Sequence, residues 1–174
     1  SDATIDEADD TKVIGDPTEA ALVSAAALVG MHKAELETAF PRVAEVPFDS
    51  VRKRMTTLHS VPESSNGLPD SLVTIWERQT MLDHNNRPDY VAFTKGAIDG
   101  LLAISPSVWV DGKIQPLDEA WKKRIMASHD EMAAKGMRVL GVALRPWDSP
   151  PDETTEEALE QDLILLGMVG MIDP

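Results

Sequence analysis

The chain contains no cysteine, few aromatic residues and no apolar run long enough to cross a bilayer. Without cysteine it has neither disulfides nor thiolate metal ligands, which fits a reducing compartment. The longest strongly apolar run covers residues 163–172, which is about half the length that a membrane-spanning helix requires. No signal-peptide pattern opens the sequence. We therefore expect a soluble piece that is not itself inserted in a membrane.

Positive charge is also scarce, because 16 Lys and Arg residues stand against 30 Asp and Glu residues and leave a formal net charge of -14. The excess acids lie at the two ends: residues 1–19 hold seven acids and one Lys, and residues 148–174 hold eight acids and no base. The middle of the chain is neutral, with 15 residues of each sign. This distribution excludes a broad basic surface for nucleic acid, so any anion site must be local.

Signatures of common catalytic and metal sites are absent as well. The four histidines, at positions 32, 59, 84 and 129, share no metal-ligand spacing, so we predict no metal site. The sequence has no GxxxxGKS/T or GxGxxG phosphate loop, no GxSxG or HExxH motif and no cysteine nucleophile. We expect no catalytic residue in this chain.

The hydrophobic period changes along the chain. Residues 4–13 are acidic and are expected to be loosely held. Asp16, Pro17 and Glu19 then form a helix start of the capping-box type. The helix that follows, from Ala20 to about Lys33, is apolar on nearly every face, and we expect it to be buried. A short amphipathic segment follows. Beyond it, apolar residues recur at every second position, as in β-strands. Strands are predicted at 42–49, 53–61, 71–79 and 89–95.

The second half of the chain alternates helices and strands. Helices are predicted at 95–104, 118–136 and 155–162, strands at 137–145 and 163–172, and a small hairpin over 107–116 that turns at Asp111 and Gly112. Gly136 is a favourable stop for the longest of these helices. Sequential strands joined by short loops are most simply antiparallel. We predict the α+β class, a mainly antiparallel β-sheet flanked by helices in one domain.

The stretch PFDSVRKRM, residues 47–55, concentrates three cations directly after an aromatic residue. In a continuous strand, Phe48 would share one face with Arg52 and Arg54, whereas Lys53 would lie on the other. A bend or bulge is expected near Pro47. The arrangement suits either a local anion site or an edge strand whose charges prevent pairing with another sheet.

Two further stretches place cations at strand ends. Lys95 ends a predicted strand in FTKGA, and Gly96 opens a helix whose positive end favours phosphate. Arg138 follows Gly136 at the mouth of a buried strand, where a guanidinium can bind phosphate in a bidentate manner. The alternatives are a solvated lysine, an ion pair between Arg138 and an acid, and a purely capping role for Glu19. These residues alone indicate an acidic α+β domain with strand-end cations.

Five motifs occur in a fixed order: GDPTE, PFDSVRKRM, FTKGA, KGMRVLGVALR and LLGMVGMIDP. In this order and spacing, from Gly15 to Pro174, the chain closely resembles the nucleotide-binding domain of P-type cation-transporting ATPases of type II, the calcium-pump-like branch, and of bacterial origin. The resemblance implies that residues 14–174 form a single nucleotide-binding domain with that family's fold. Residues 1–13 are then interpreted as a tag remnant followed by an acidic segment near a hinge.

The resemblance implies a site for ATP made of seven residues: Glu19, Phe48, Lys53, Lys95, Gly96, Ala97 and Arg138. Adenine would stack on Phe48 while Lys53 and Lys95 line the same pocket. Glu19 would reach toward the adenine end, and Arg138 would meet the phosphates. Gly96 and Ala97 would keep the wall small enough for the ring to enter. One departure concerns Ser50, because calcium pumps of the muscle type carry an arginine there, so a phosphate contact is missing.

The family transfers a phosphoryl group from Mg-ATP to an aspartate in a DKTGT motif and then hydrolyses the aspartyl phosphate. This chain has no DKTGT, TGD or GDGxND motif. The resemblance therefore implies a cytoplasmic domain of an integral membrane protein that binds ATP without hydrolysing it and positions Mg-ATP for a separate phosphorylation domain. The phosphorylation and actuator domains of the same polypeptide are the expected partners, and calcium is the favoured ion. The alternative is a non-catalytic interaction module that binds no nucleotide.

Overall fold

The computed structural model describes residues 4–6, 9–14, 16–64, 68, 73 and 88–172, with side chains described from residue 16 onward. The chain divides into two compact units. The first unit contains Ser1–Pro41 and Pro62–Arg78, and the second contains Arg42–Val61 and Gln79–Pro174. The single domain predicted over 14–174 and its boundary after residue 13 stay predictions.

The described residues 4–39 of the first unit form a small sheet and two helices. Strands β1 (Thr4–Asp6) and β2 (Asp9–Ile14) pair in an antiparallel manner within the stretch that was expected to be loosely held. Helix α1 (Pro17–Leu28) follows, and helix α2 (Lys33–Ala39) corresponds to the short amphipathic segment. Asp16 caps α1 as predicted, since its carboxylate accepts a hydrogen bond from the backbone N–H of Thr18 at 2.9 Å.

Helix α1 is shorter and more exposed than predicted. It ends at Leu28 because Gly30 adopts a φ of 79° and donates its N–H to the carbonyl of Ala27 at 3.0 Å, as in a Schellman motif. Val23 is its one buried residue, and Leu28 is 89% exposed. The prediction of a buried helix is wrong. Within the first unit, α1 packs on β1, β2 and α2, and its residues Ala21, Ala25 and Leu28 remain exposed.

The second unit is built on seven strands: β3 (Arg42–Asp49), β4 (Arg54–Ser60), β5 (Tyr90–Gly96), β6 (Ser107–Val110), β7 (Lys113–Pro116), β8 (Arg138–Trp147) and β9 (Ile164–Met171). Their order in the sheet is β3-β4-β5-β8-β9-β6-β7. Neighbouring strands are antiparallel except β6 and β9, which are parallel. The prediction of a mainly antiparallel sheet is confirmed.

Three helices of the second unit accompany this sheet: α3 (Ile98–Ile104), α4 (Glu119–Ala134) and α5 (Glu156–Leu159). Helices α3 and α4 pack on β8 and β9. Helix α4 ends as predicted, because Gly136 adopts a φ of 78° immediately after the C-cap residue Lys135. The predicted hairpin turn at Asp111 and Gly112 joins β6 to β7. The α+β class is therefore confirmed.

One predicted strand, at 71–79, lies outside the described residues apart from Val73, which is helical. No helix in the described part of the chain is both long and apolar enough to span a membrane.

The two faces of the sheet differ in exposure at its centre. One face carries Thr56, Thr94 and Ala143, which are fully buried, and the largest apolar cluster packs around Ala143 together with Ile98 and Leu101 of α3. We call this side, defined by Thr56, Thr94 and Ala143, the covered face. The residues that alternate with them point to the opposite side, which we call the open face and define by Phe93, Lys95, Thr57 and Val142. Phe93 is 39% exposed there, although Leu144 beside it and Met55 beside Lys95 are buried on the same face.

Candidate functional site

Six of the seven predicted binding residues lie at one end of the seven-stranded sheet. Because β3, β4, β5 and β8 are neighbours and antiparallel, the ends of β3 and β5 meet the beginnings of β4 and β8. We call this the turn end of the sheet. It carries, in chain order, Phe48, Lys53, Lys95, Gly96, Ala97 and Arg138.

The seventh predicted residue, Glu19, belongs to the first unit and lies in the first turn of α1. Its side chain is half-buried. The cap of this helix is made by Asp16 with Thr18. A role of Glu19 in ligand binding stays a prediction.

The stretch PFDSVRKRM forms a tight connection between two strands. Strand β3 ends at Asp49 after a shift in register that begins at Val46, residues 50–53 form the turn, and β4 begins at Arg54. The bulge predicted near Pro47 is present. A continuous strand does not form here, because residues 50–53 form a turn. The three cations are nevertheless divided as predicted, with Arg52 and Arg54 on one side and Lys53 apart from them.

Asp49 stabilises this turn through its side chain and its backbone. One carboxylate oxygen accepts the N–H groups of Arg52 at 2.8 Å and Val51 at 2.9 Å, and its carbonyl accepts the N–H of Lys53 at 2.7 Å. The bond from the Arg52 N–H, more than any other interaction, holds the pKa of Asp49 below its ordinary value. Lys53 adopts a left-handed φ of 51° and its side chain is exposed. The turn therefore presents Lys53 to solvent.

The neighbouring cations Arg52 and Arg54 are used within the fold. Both donate to one carboxylate oxygen of Glu160, whose side chain is 1% exposed, and the distance from the Arg54 Nε is 2.7 Å. Arg52 also contacts the carboxylate of Glu156 at 3.0 Å. Its hydrogen bond to Glu160 raises the pKa of Arg52. Of the three adjacent cations, Lys53 is therefore the exposed one.

Two phenylalanine rings are exposed among the described residues of this unit. Phe48, close to the end of β3, is 63% exposed, although phenylalanine is a residue that proteins usually bury. Phe93 lies on the open face, where the ring of His59 packs against it at a tilt with a centroid distance of 5.9 Å. Exposed rings of this kind are suitable for stacking on a flat heterocycle. Sequence reasoning missed Phe93, although its spacing of two from Lys95 was a signal that both share a face.

Lys95 lies on the open face, between Met55 of β4 and Val142 of β8. Its side chain is half-buried, whereas the preceding Thr94 is fully buried on the covered face. Arg138 lies on the same open face, because it is four residues from Val142 in β8 without an intervening bulge. The spacing corresponds to about 14 Å along the strand. Lys95 and Arg138 therefore present two separated cations on one surface.

Gly96 is required by a close approach of two backbones. A Cβ atom at this position would lie 2.6 Å from the carbonyl oxygen of Lys53 and 2.8 Å from the Cα of Arg54. The next residue, Ala97, donates its N–H to that same carbonyl at 3.0 Å. These contacts join the β3–β4 turn to the junction of β5 and α3. The resemblance assigns Gly96 to the wall of a nucleotide pocket, but the close backbone approach requires a glycine at this position as well.

A family model described as P-type ATPase, cytoplasmic domain N, matches residues 1–174. This description agrees with the predicted cytoplasmic location and with the resemblance found in the sequence.

Curated bacterial proteins resemble the chain along nearly all of its length. It is 37% identical to calcium-transporting ATPase 1 of Bacillus cereus over 160 residues, which cover 92% of this chain and 15% of that protein. It is 33% identical to calcium-transporting ATPase 1 of Lactococcus lactis over 165 residues, covering 94% and 16%. For the probable cation-transporting ATPase F of Mycobacterium tuberculosis the identity is 29% over 164 residues, covering 94% and 15%. The chain thus spans about one-sixth of the length of these relatives or less.

Proposed function

Because the chain belongs to the family of P-type ATPase cytoplasmic N domains, we propose that it is the ATP-binding domain of a bacterial cation-transporting ATPase. The observation that supports this most is that an exposed aromatic ring, Phe48, and three cations lie at the same end of the sheet. The cations are Lys53, Lys95 and Arg138. ATP has a flat apolar base at one end and a chain of anionic phosphates at the other, so it requires these two kinds of contact.

In the proposed complex, adenine stacks on Phe48, and the ammonium groups of Lys53 and Lys95 contact the nucleotide within the same pocket. Arg138 binds the phosphates, and its guanidinium donates two parallel hydrogen bonds to phosphate oxygens. Gly96 and Ala97 form the wall beside the base. Ser50 carries no charge, so the phosphates depend on the remaining cations. The protein as a whole is acidic and the middle of its chain is electrically neutral. Attraction of the phosphates therefore depends on these individual cations.

The chain itself supplies binding and orientation. It has no DKTGT motif, and we propose that it holds Mg-ATP for phosphoryl transfer to an aspartate in a separate phosphorylation domain, with the actuator domain as a further partner. Magnesium bound to the phosphates would neutralise charge that develops during transfer. The names of two relatives favour calcium as the transported ion. The intact protein would then be an ATP-driven ion pump of the membrane, and this domain would lie on its cytoplasmic side.

A titration of ATP into isotopically labelled protein, followed by NMR, tests the proposal. We expect saturable shifts at Phe48, Lys53, Lys95 and Arg138, and the same spectra test the prediction for Glu19. Unchanged signals at Phe48 and Lys95 in millimolar ATP would favour the alternative, an interaction module that binds no nucleotide.

Substitutions locate the proposed site. Phe48→Ala and Lys95→Ala should each weaken ATP binding, by about tenfold for the loss of a stacking partner, while the protein remains folded. Matched controls lie on β7, at the opposite edge of the sheet: Ile114→Ala removes an exposed apolar side chain and Lys113→Ala an exposed cation. Wild-type affinity in both site variants would contradict the site, as would equal losses in the controls.

A further inference from the structure

Glu160 is a charged side chain in the interior of the second unit. It follows α5 directly, and its carboxylate is 1% exposed. One oxygen accepts hydrogen bonds from Arg52 and Arg54, and the other accepts the hydroxyl of Thr56 at 3.0 Å. The Thr56 hydroxyl in turn contacts that of Thr94 at 2.9 Å. The carboxylate thus ends a chain of polar contacts on the covered face of the sheet.

A buried carboxylate is costly, because desolvation opposes the attraction to its partners. Replacing a buried ion pair by apolar side chains of similar volume is often neutral or stabilising, so the gain in stability is a weak explanation for such a group. The partners of Glu160 suggest a different use. They are distant in the sequence, since Arg52 and Glu160 are separated by 108 positions. Arg52 lies in the same connection as Lys53, and Arg54 and Thr56 lie in β4, between the strands that carry Phe48 and Lys95.

Arg52 is the link between Glu160 and the proposed adenine site. Its guanidinium donates to the carbonyl of Pro47 at 2.9 Å, and its backbone N–H donates to the carboxylate of Asp49 at 2.8 Å. These two contacts hold the residues immediately before and after Phe48. Arg52 itself is 15% exposed and is held by Glu160. The backbone on both sides of the exposed ring is therefore attached to one arginine whose position depends on a buried acid.

We propose that Glu160 is a positioning residue for adenine binding, acting through Arg52 on Phe48. The inference rests on the proposed function. Glu160 lies on the covered face and does not contact the nucleotide. It holds the β3–β4 connection in one conformation, so that the ring of Phe48 is already placed before the base arrives. Binding to a preorganised ring avoids the entropy cost of ordering it in the complex.

Glu160→Gln is the first test, with the ATP dissociation constant measured by calorimetry at a temperature where circular dichroism shows each variant folded. The amide keeps the shape and loses the charge that holds both arginines. We expect the dissociation constant to rise about tenfold, as for the loss of one preorganised side chain. Wild-type affinity in this variant, with the wild-type protein binding ATP, would overturn the inference and leave the proposed function intact. A wild-type protein that binds no ATP would overturn both.

A double-mutant cycle separates positioning from a general loss of stability. If Glu160 acts through Phe48, Glu160→Gln should change the affinity of the Phe48→Ala protein by less than about twofold, since the ring that it positions is absent. Equal losses in the wild-type and Phe48→Ala backgrounds would show that Glu160 acts elsewhere, and would overturn the inference.

Two further variants keep the test decisive if Glu160→Gln unfolds. Arg52→Gln cuts the link to Phe48 while Glu160 keeps Arg54 and Thr56 as partners, and it should give a similar loss with the same dependence on Phe48. Glu156→Gln is the matched control, because Glu156 contacts the same arginine from an exposed position. It should bind ATP within about twofold of wild type. Wild-type affinity in Arg52→Gln would overturn the inference, because Arg52 would then not link Glu160 to Phe48. An equal loss of affinity in Glu156→Gln would also overturn it, because the effect would not depend on the buried acid.

Discussion

The covered and open faces of the sheet use the same strands for different purposes. On the covered face, Thr56 and Thr94 are fully buried and take part in the polar chain that ends at Glu160. One position further along β5, Lys95 lies on the open face with a half-buried side chain. The β3–β4 turn repeats this contrast, because Arg52 points to Glu160 and the adjacent Lys53 is exposed. Substitutions at the buried polar positions should therefore affect stability first, and substitutions at the exposed positions should affect binding first.

The largest effect on stability is expected for Glu160→Ala. The substitution leaves Arg52 and Arg54 partly buried without their shared carboxylate, so the free energy of unfolding should fall by about 3–5 kcal/mol. Urea denaturation measures the change. Glu119→Ala, which removes an exposed acid paired with Lys122 on α4, should cost less than about 1 kcal/mol. If the free energy of unfolding fell by similar amounts in both variants, the buried position of Glu160 would not explain its effect.

Gly96→Ala should have the next largest effect, because its Cβ would lie 2.6 Å from the Lys53 carbonyl oxygen. Overpacking of this kind lowers the free energy of unfolding by about 1–3 kcal/mol. Gly100→Ala is the matched control, since a Cβ there has 3.6 Å to its nearest neighbour, the Arg54 guanidinium, and lies in α3. Alanine is favoured over glycine inside a helix by about 1 kcal/mol, so this variant should be no less stable than wild type. Equal destabilisation of the two would show that the close approach is not the cause.

A smaller effect is expected from protonation of Asp49. Its folded-state pKa is lowered chiefly by the hydrogen bond from the Arg52 N–H, so the charged form stabilises the folded protein at all pH values above the ordinary aspartate pKa of about 4. This stabilisation should disappear as the pH falls through the lowered pKa. Unfolding experiments between pH 7 and pH 2 on wild type and Asp49→Asn should show the wild-type advantage shrinking only below about pH 4. An advantage that is the same at every pH would contradict the assignment.

The smallest effect on stability is expected for Phe48→Ala, which changes an exposed residue. Because the ring is 63% exposed, its removal should change the free energy of unfolding by less than about 0.5 kcal/mol. Thermal and urea unfolding measure this change on the same samples used for ATP titration. A large loss of stability would mean that the ring packs in the core, which would contradict the expectation that this exposed residue contributes mainly to binding.

Local signals in the sequence predicted much of the fold. Asp16 caps α1, Gly136 follows the end of α4, and Asp111 with Gly112 turns the β6–β7 hairpin, because each of these devices depends on a few adjacent residues. Alternation also predicted β5. In PFDSVRKRM it divided the cations correctly but did not predict where the strand is interrupted, since a bulge and a turn follow Val46. It failed in a different way for α1, since apolar composition reveals which residues could be buried but not whether neighbouring elements cover them.

The sequence by itself determined the α+β class, the family and the identity of the residues proposed to bind ATP, since these follow from short motifs in a fixed order. The tertiary structure alone decided which cations remain available. Arg52, Lys53 and Arg54 are adjacent and equally charged in the sequence, yet Glu160, more than a hundred positions away, binds two of them and leaves the third exposed. Such a choice depends on where folding places a distant carboxylate, because an ion pair requires close approach in space and not in sequence.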